Sequence, residues 1–325
     1  MVQPDQPRSA PVPDPERVQS WLRTLTGFAD AHVEAVEPLT DGLSNLTCRL
    51  TLGNAPVERA VLRIQPRRGI FEPYDVLREG KVLRCLAGTA VPVPRVLASE
   101  GDPSFFGTPC LLLEWVDAPH LPAPEVDPAA FFAGLTPFAE ALAAIHDLDW
   151  RAFGLDFLGA PASAAAGLTE EIAVVEGRMR AFGCEDEPLL MRALMALDGS
   201  TPSDGRLSLC QGDPNPFNYL FRDGQVVAVV DWEQARISDP RSDIAQLVAL
   251  AHLRGTAPFG PVRENPFVQL YEAASGGAVD GLELFRAFWL FQLGVVFHGW
   301  KAYGTEPWFT WSQLQELLTL ALAEL

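Results

Sequence analysis

From Leu209 to Glu233 the chain sets a short strand, the loop Gly212-Asp213-Pro214-Asn215-Pro216 and two further strand-like runs into a half whose other apolar residues repeat at helical spacing. No continuous helix can pass through that loop, because proline lacks the N–H and fixes φ. The segment therefore demands a small β insert within a helical surround. The insert carries three polar side chains at fixed offsets: Asp213, Asn218 five residues on, and Asp231 eighteen residues after the first. A carboxylate can take a proton from a hydroxyl, while an amide oxygen and a second carboxylate can hold a hard cation such as Mg²⁺. Together they are the minimum equipment for moving the γ-phosphoryl group of ATP.

Composition narrows the class. At 325 residues the chain is long enough for two lobes with a large core, and 48% hydrophobic with 20% charged residues is ordinary for a globular enzyme. Five scattered cysteines without a C-x-x-C pair argue against a disulfide framework or a structural zinc site and suit a reducing cytoplasm. A net charge of −18 disfavours a nucleic-acid partner, which needs a basic surface. The same acidity serves solubility and also suits steering of a cationic small molecule. Residues 1–13 are Pro-rich and polar, which predicts a disordered tail and no signal peptide. The longest apolar run, Leu284–Trp300, is interrupted by Arg286, Gln292 and His298, so it reads as a buried helix and no membrane partner is expected.

Local signals divide the remainder. Asp14-Pro15-Glu16 starts a helix with an acidic cap and Pro in the first turn. Strand-like runs follow at His32–Leu39, Leu46–Leu52 and Val57–Ile64, separated by turn residues as in an antiparallel meander. A helix is predicted over Tyr74–Leu86, then strands at Val96–Ala98 and Cys110–Val116. Beyond Asp117 helices are predicted at Asp127–Ile145, Thr169–Phe182, Leu189–Leu197, Asp243–Leu253, Phe267–Ala274, Gly281–Tyr303 and Trp311–Leu325. The Ala-rich Ala160–Gly167 reads as a connector.

Several segments occur together in a recognisable order over about residues 30–250: Asp41-Gly42-Leu43-Ser44-Asn45, Val61-Leu62-Arg63, Arg78 to Leu83, Val91 to Val96 and Leu112 to Val116. They continue through Ala144-Ile145-His146, Gln211 to Asn218, Asp231-Trp232-Glu233, Asp239-Pro240 and Asp243-Ile244-Ala245. On these the chain resembles the aminoglycoside phosphotransferase family, and within it is most similar to bacterial kinase-like proteins related to the N-terminal domains of certain acyl-CoA dehydrogenases. The resemblance implies an α+β, two-lobed protein-kinase-like fold, with a small antiparallel β-rich N-lobe over residues 14–116 and a larger, mainly helical C-lobe over 117–325. It also implies ATP or GTP as phosphoryl donor, Mg²⁺ as cofactor and a small-molecule hydroxyl as acceptor.

The resemblance gives each residue a role. Asp213 would orient the acceptor hydroxyl and take its proton; the alternative is a turn-forming Asp before Pro. Asn218 and Asp231 would hold Mg²⁺, with Glu233 behind them or merely solvated. Arg63 stands where kinases carry a phosphate-binding Lys, with Glu79 as its ion-pair partner; otherwise Arg63 is an edge-strand surface residue. Gly42 and Ser44 would cover the phosphates, and the backbone of Glu114 and Val116 would meet the adenine. Gln211 replaces the His of the kinase loop, and as donor and acceptor it can still brace that loop. Gly212 and Asn215 replace an Arg and a Lys of protein kinases, and no A-P-E segment follows Asp231, so a protein kinase is disfavoured. A degenerate relative that binds nucleotide or metabolite without turnover is the competing reading, motivated by Gln211 and Arg63. His146 reads as structural, and Asp243 as a helix cap that could brace the loop. Trp289, Trp300, Trp308 and Trp311, with His298 and Tyr303, read as core, although family helices at this end help wall the acceptor pocket. The acceptor itself is not legible, since the fold hosts many.

Overall fold

The computed structural model describes residues 12–39, 45–202 and 205–325. They form two compact units, one containing the chain to Ala118 together with Ala228–Glu233, the other Pro119–Val227 and Gln234–Leu325. The sequence reading places its single boundary at 116/117. The structure adds 228–233 to the first unit, because Trp232 is fully buried and Val229 N–H donates to the Pro92 carbonyl at 2.8 Å. Of the expected tail, residues 1–11 lie outside the described residues.

The first unit is built on a five-stranded antiparallel sheet of β1 (His32–Pro38), β2 (Leu46–Gly53), β3 (Arg59–Ile64), β4 (Val96–Glu100) and β5 (Cys110–Glu114), in the order β1-β2-β3-β5-β4. Helix α1 (Pro15–Leu22) precedes it, with the Asp14 carboxylate accepting from Glu16 N–H, and α2 (Val76–Leu86) joins β3 to β4. Strand side chains alternate between faces. Ala60, Leu62 and Ile64 of β3 enter a core with Trp21, Leu50 and Leu112, so Arg63 points to the opposite face. There it stands in register with Leu111 of β5. Helix α2 lies close over that strand: a Cβ added to Gly80 would come 2.7 Å from Leu111 Cδ1. The glycine lets α2 approach near enough for its neighbour Glu79 to reach Arg63.

Among the described residues of the second unit, seven α-helices accompany two small strand pairs: α3 (Pro128–Asp147), α4 (Ala164–Ala181), α5 (Pro188–Asp198), α6 (Arg241–Leu253), α7 (Pro266–Ser275), α8 (Leu282–Ala302) and α9 (Trp311–Leu322). Strand β6 (Ser208–Cys210) pairs antiparallel with β9 (Arg236–Ser238), and β7 (Tyr219–Arg222) with β8 (Gln225–Val229), whose end belongs to the first unit. Asp223 and Gly224, both with positive φ, make the two-residue turn that suits the strand twist. Helix α8 is buried along nearly its whole length, Arg286 and Gln292 included, as a core helix is. Among the described residues, α3 has the length and composition to cross a membrane, and it packs Leu135, Phe138, Leu142 and Ile145 inward, with α7 and β6 against it.

Three readings need correction. Ala160–Gly167 is no mere connector, since Ser163 Oγ accepts from Ala166 N–H at 3.1 Å and starts α4 at Ala164. Strand β9 was not legible, being three residues long and defined by its partner. Asp243 does not cap α6; it lies within the helix, and Asp239 Oδ1 takes the Arg241 N–H at 2.9 Å.

Candidate active site

Arg63 gathers three carboxylates in the first unit. Its Nη2 donates to Asp231 Oδ1 at 2.8 Å and reaches Glu233 Oε2 at 3.5 Å. Its Nε lies 3.1 Å from Glu79 Oε2, an ionic contact off the hydrogen-bond line. Arg63 is 7% exposed and Glu79 1%, so Arg63 is not a surface residue of an edge strand. Burial alone would lower the Arg63 pKa, but the charges of Glu79, Asp231 and Glu233 outweigh it and raise it. Burial also pushes the Glu79 carboxyl up to about 7, against the pull of Arg63 and with a further push from Asp231.

Local structure fixes these groups. Asp75 Oδ1 caps α2 by accepting from Arg78 N–H at 2.9 Å, which sets the helix that carries Glu79. Asn45 Nδ2 donates to Glu233 Oε2 at 2.6 Å, and Arg78 Nη1 to the Glu233 carbonyl at 3.2 Å. Asp231 itself adopts a left-handed backbone, φ 62°, uncommon outside Gly, Asn and Asp. The buried Trp232 indole, donating to the Val229 carbonyl at 2.9 Å, holds the chain in that turn.

Asp213 and Asn218 belong to the second unit, and neutral donors hold them. Asp213 Oδ1 accepts from Gln246 Nε2 at 3.1 Å; Oδ2 accepts from Asn218 Nδ2 at 3.0 Å, and the same Nδ2 donates to the Asp213 carbonyl at 2.8 Å. Gln211 is fully buried, and its Oε1 accepts the Asp213 N–H at 2.7 Å. Beneath it, the buried Asp243 carboxylate accepts the N–H groups of Gln211 at 2.7 Å and Gly212 at 3.2 Å. Gly212 has φ 90°, and a Cβ there would stand 2.1 Å from the Gln234 carbonyl oxygen, so only glycine fits. Asn215 Oδ1 accepts from Phe217 N–H at 3.3 Å and turns the loop toward Asn218.

His146 and Cys210 complete the support under this loop. His146 is buried between the Tyr271 hydroxyl at 2.8 Å and Asp243 Oδ2 at 3.3 Å. Burial pushes the Cys210 thiol well up, so this sulfur is kept from the thiolate form that metals bind.

The expected residues thus fall into two sets: Arg63, Glu79 and Asp231 in the first unit, Asp213 and Asn218 in the second. Glu114 and Val116 lie at the end of β5, where Glu114 N–H donates to the Arg95 carbonyl and the Val116 carbonyl accepts from Ala118 N–H, both at 2.9 Å. The Glu114 side chain pairs with Arg95 at 2.9 Å, and Val116 N–H donates no hydrogen bond among the described residues. Gly42 and Ser44 lie outside the described residues. Gln246 was missed. Its signal was its place three residues after Asp243, on the same face of a helix.

The sequence model of the phosphotransferase enzyme family matches residues 35–285. A candidate aminoglycoside phosphotransferase from Ralstonia eutropha JMP134 is 25% identical and has a TM-score of 0.70, with 95% of each chain covered. Macrolide 2′-phosphotransferase type I is 22% identical with a TM-score of 0.60, covering 94% of this chain and 96% of that one. Among curated proteins, mouse acyl-CoA dehydrogenase family member 10 is 25% identical over 305 residues, 87% of this chain and 28% of that protein. Human family member 11 is 28% identical over 266 residues, 78% of this chain and 33% of that protein. The chain spans about a third of the length of these curated relatives. With the kinase-like, two-lobed α+β fold and a match over most of its length, the chain belongs to the phosphotransferase enzyme family.

Proposed function

We propose that the chain moves the γ-phosphoryl group of ATP or GTP to a hydroxyl of a small molecule, with Asp213 as the base. The observation that carries this reading is the way Asp213 is held. Both carboxylate oxygens accept from amide N–H groups and its own N–H is tied to Gln211. Such bonds fix the direction of the carboxylate. As the acceptor oxygen bonds to phosphorus and the bond to the nucleoside diphosphate breaks, Asp213 takes the hydroxyl proton. Gln211 supports the loop without a titrating ring, so its substitution for His leaves this chemistry available.

The donor set suits a divalent cation. One guanidinium is shared by three carboxylates, an excess of negative charge, and Asn218 has its nitrogen committed to Asp213, which leaves its oxygen as the ligand end. We assign Asn218 and Asp231 as the Mg²⁺ ligands and Arg63, ordered by Glu79, to the phosphates. When bound, the ion neutralises charge on the transferred group. Gly42 and Ser44 are assigned to the phosphate side and the backbone of Glu114 and Val116 to the adenine. Fold relatives captured with GDP, and with AMP-PNP and hygromycin B, are precedents for nucleotide donors and an alcohol-bearing acceptor. The five free thiols and the donor suit a cytoplasmic setting.

One observation favours a second reading, nucleotide binding without turnover. Arg63 is engaged by three carboxylates and so has fewer donors for a phosphate. Incubation with Mg²⁺, ATP or GTP and a panel of metabolite and antibiotic alcohols, with mass detection, separates the two. A product that gains one phosphoryl group is expected; tight nucleotide binding with no phosphorylated product across the panel favours the second reading.

A further inference from the structure

We propose that the acceptor carries an anionic group, a carboxylate or phosphate monoester, received by the Arg254 guanidinium that lies against the rings of Phe217 and Trp308. This rests on Asp213 being the base, and it names the class of molecule that base serves.

Arg254 ends helix α6, the helix that also supplies Asp243 and Gln246 to the Asp213 loop. Its guanidinium carbon lies 5.2 Å from the Phe217 ring centre and 5.3 Å from that of Trp308. Phe217 is the immediate neighbour of Asn218, and its ring also meets His120 edge-on at 5.0 Å. The cation is therefore fixed beside the catalytic loop itself. The charges of Asp213 and Glu125 act on it.

Among the described residues, no ion pair to a carboxylate holds this arginine. Arg49, Arg63, Arg95, Arg236, Arg241, and others pair with Asp or Glu, whereas Arg254 forms no ion pair among the described residues. Two aromatic rings stabilise the charge without neutralising it. The guanidinium's planar N–H fork is the geometry that binds carboxylate or phosphate through paired hydrogen bonds. Trp308 is 47% exposed, so the group faces solvent and is open to a ligand. The net charge of −18 suits cationic acceptors over the molecule as a whole, whereas Arg254 supplies a local positive group for an anionic one.

Four small alcohols make the test: glycerate, glycerol 3-phosphate, glycerol and ethanolamine, each with Mg²⁺ and ATP, against wild type, Arg254→Gln and Arg254→Lys. The wild type is expected to prefer an anionic acceptor over glycerol by about 10- to 100-fold in kcat/KM, the worth of one charge-assisted hydrogen-bonded pair. The preference should reside in KM, vanish in Arg254→Gln and return in part in Arg254→Lys. Whichever of glycerate and glycerol 3-phosphate is preferred identifies the anion. Equal or better use of glycerol or ethanolamine by the wild type, or an unchanged preference in Arg254→Gln, overturns the proposal. Tryptophan-fluorescence titration with AMP-PNP present covers the case of no turnover. Anion binding lost in Arg254→Gln would keep the subsite while the phosphotransfer reading falls; no anion binding by the wild type would sink the subsite.

Discussion

The two regions that carry the candidate chemistry are held by different forces. Around Arg63, three carboxyl groups share one guanidinium in a largely buried setting, and position follows from charge. Around Asp213, Gln246 and Asn218 donate to its carboxylate and Gln211 accepts its backbone N–H, and position follows from hydrogen-bond direction. Coulomb energy falls slowly with distance, so the first arrangement tolerates small displacements but not loss of a charge. Hydrogen bonds fail steeply with angle, so the second tolerates loss of a neutral partner in stability but not in alignment. Damage to the first should therefore appear mainly as unfolding, damage to the second mainly as lost rate.

Arg63→Ala gives the largest stability effect. It leaves Glu79 buried without its counter-charge, and removing one partner of a buried pair costs about 3–5 kcal/mol. Urea unfolding at pH 7 measures this. The sign with pH follows from Glu79, whose folded pKa is already raised to about 7 from its ordinary 4.5. Its contribution to stability is fully present below the unfolded value and is lost as pH rises through the folded one. The variant's deficit should then shrink on going from pH 8 to pH 5; a deficit independent of pH would remove the charge argument.

Gly212→Ala should cost about 1–3 kcal/mol, because it forces a left-handed backbone and meets the Gln234 carbonyl. A melting temperature equal to wild type would show that the loop is less constrained than its contacts suggest. Smaller still in stability, Gln246→Ala should lower kcat about 10- to 100-fold while nucleotide affinity stays near wild type. An unchanged kcat would mean that Asn218 alone aims Asp213.

What was legible in the sequence was legible for local reasons. Alternation placed the strands of the first unit, cap-plus-Pro pairs at Asp14-Pro15 and Asp127-Pro128 placed two helix starts, and the spacing of Asp213, Asn218 and Asp231 marked the residues proposed for the chemistry. Residues whose meaning is set by distant neighbours were not. Gln246 and Arg254 are unremarkable on a helix until the fold turns them toward the Asp213 loop. Asp243 does not cap α6 as its Pro-containing turn suggested, while the loop-bracing role also read for it holds, since it accepts from Gln211 and Gly212 N–H inside the helix. Trp289 and Trp300 proved buried while Trp308 did not, a distinction that aromatic content alone cannot make.

Asp213→Asn, which keeps the shape of the side chain and removes its basicity, addresses the central claim directly. Single-turnover transfer from ATP to the best acceptor found for the wild type, measured beside nucleotide affinity, should show transfer slowed about 10²- to 10⁴-fold with affinity largely intact. Full retained transfer in that variant would contradict the account.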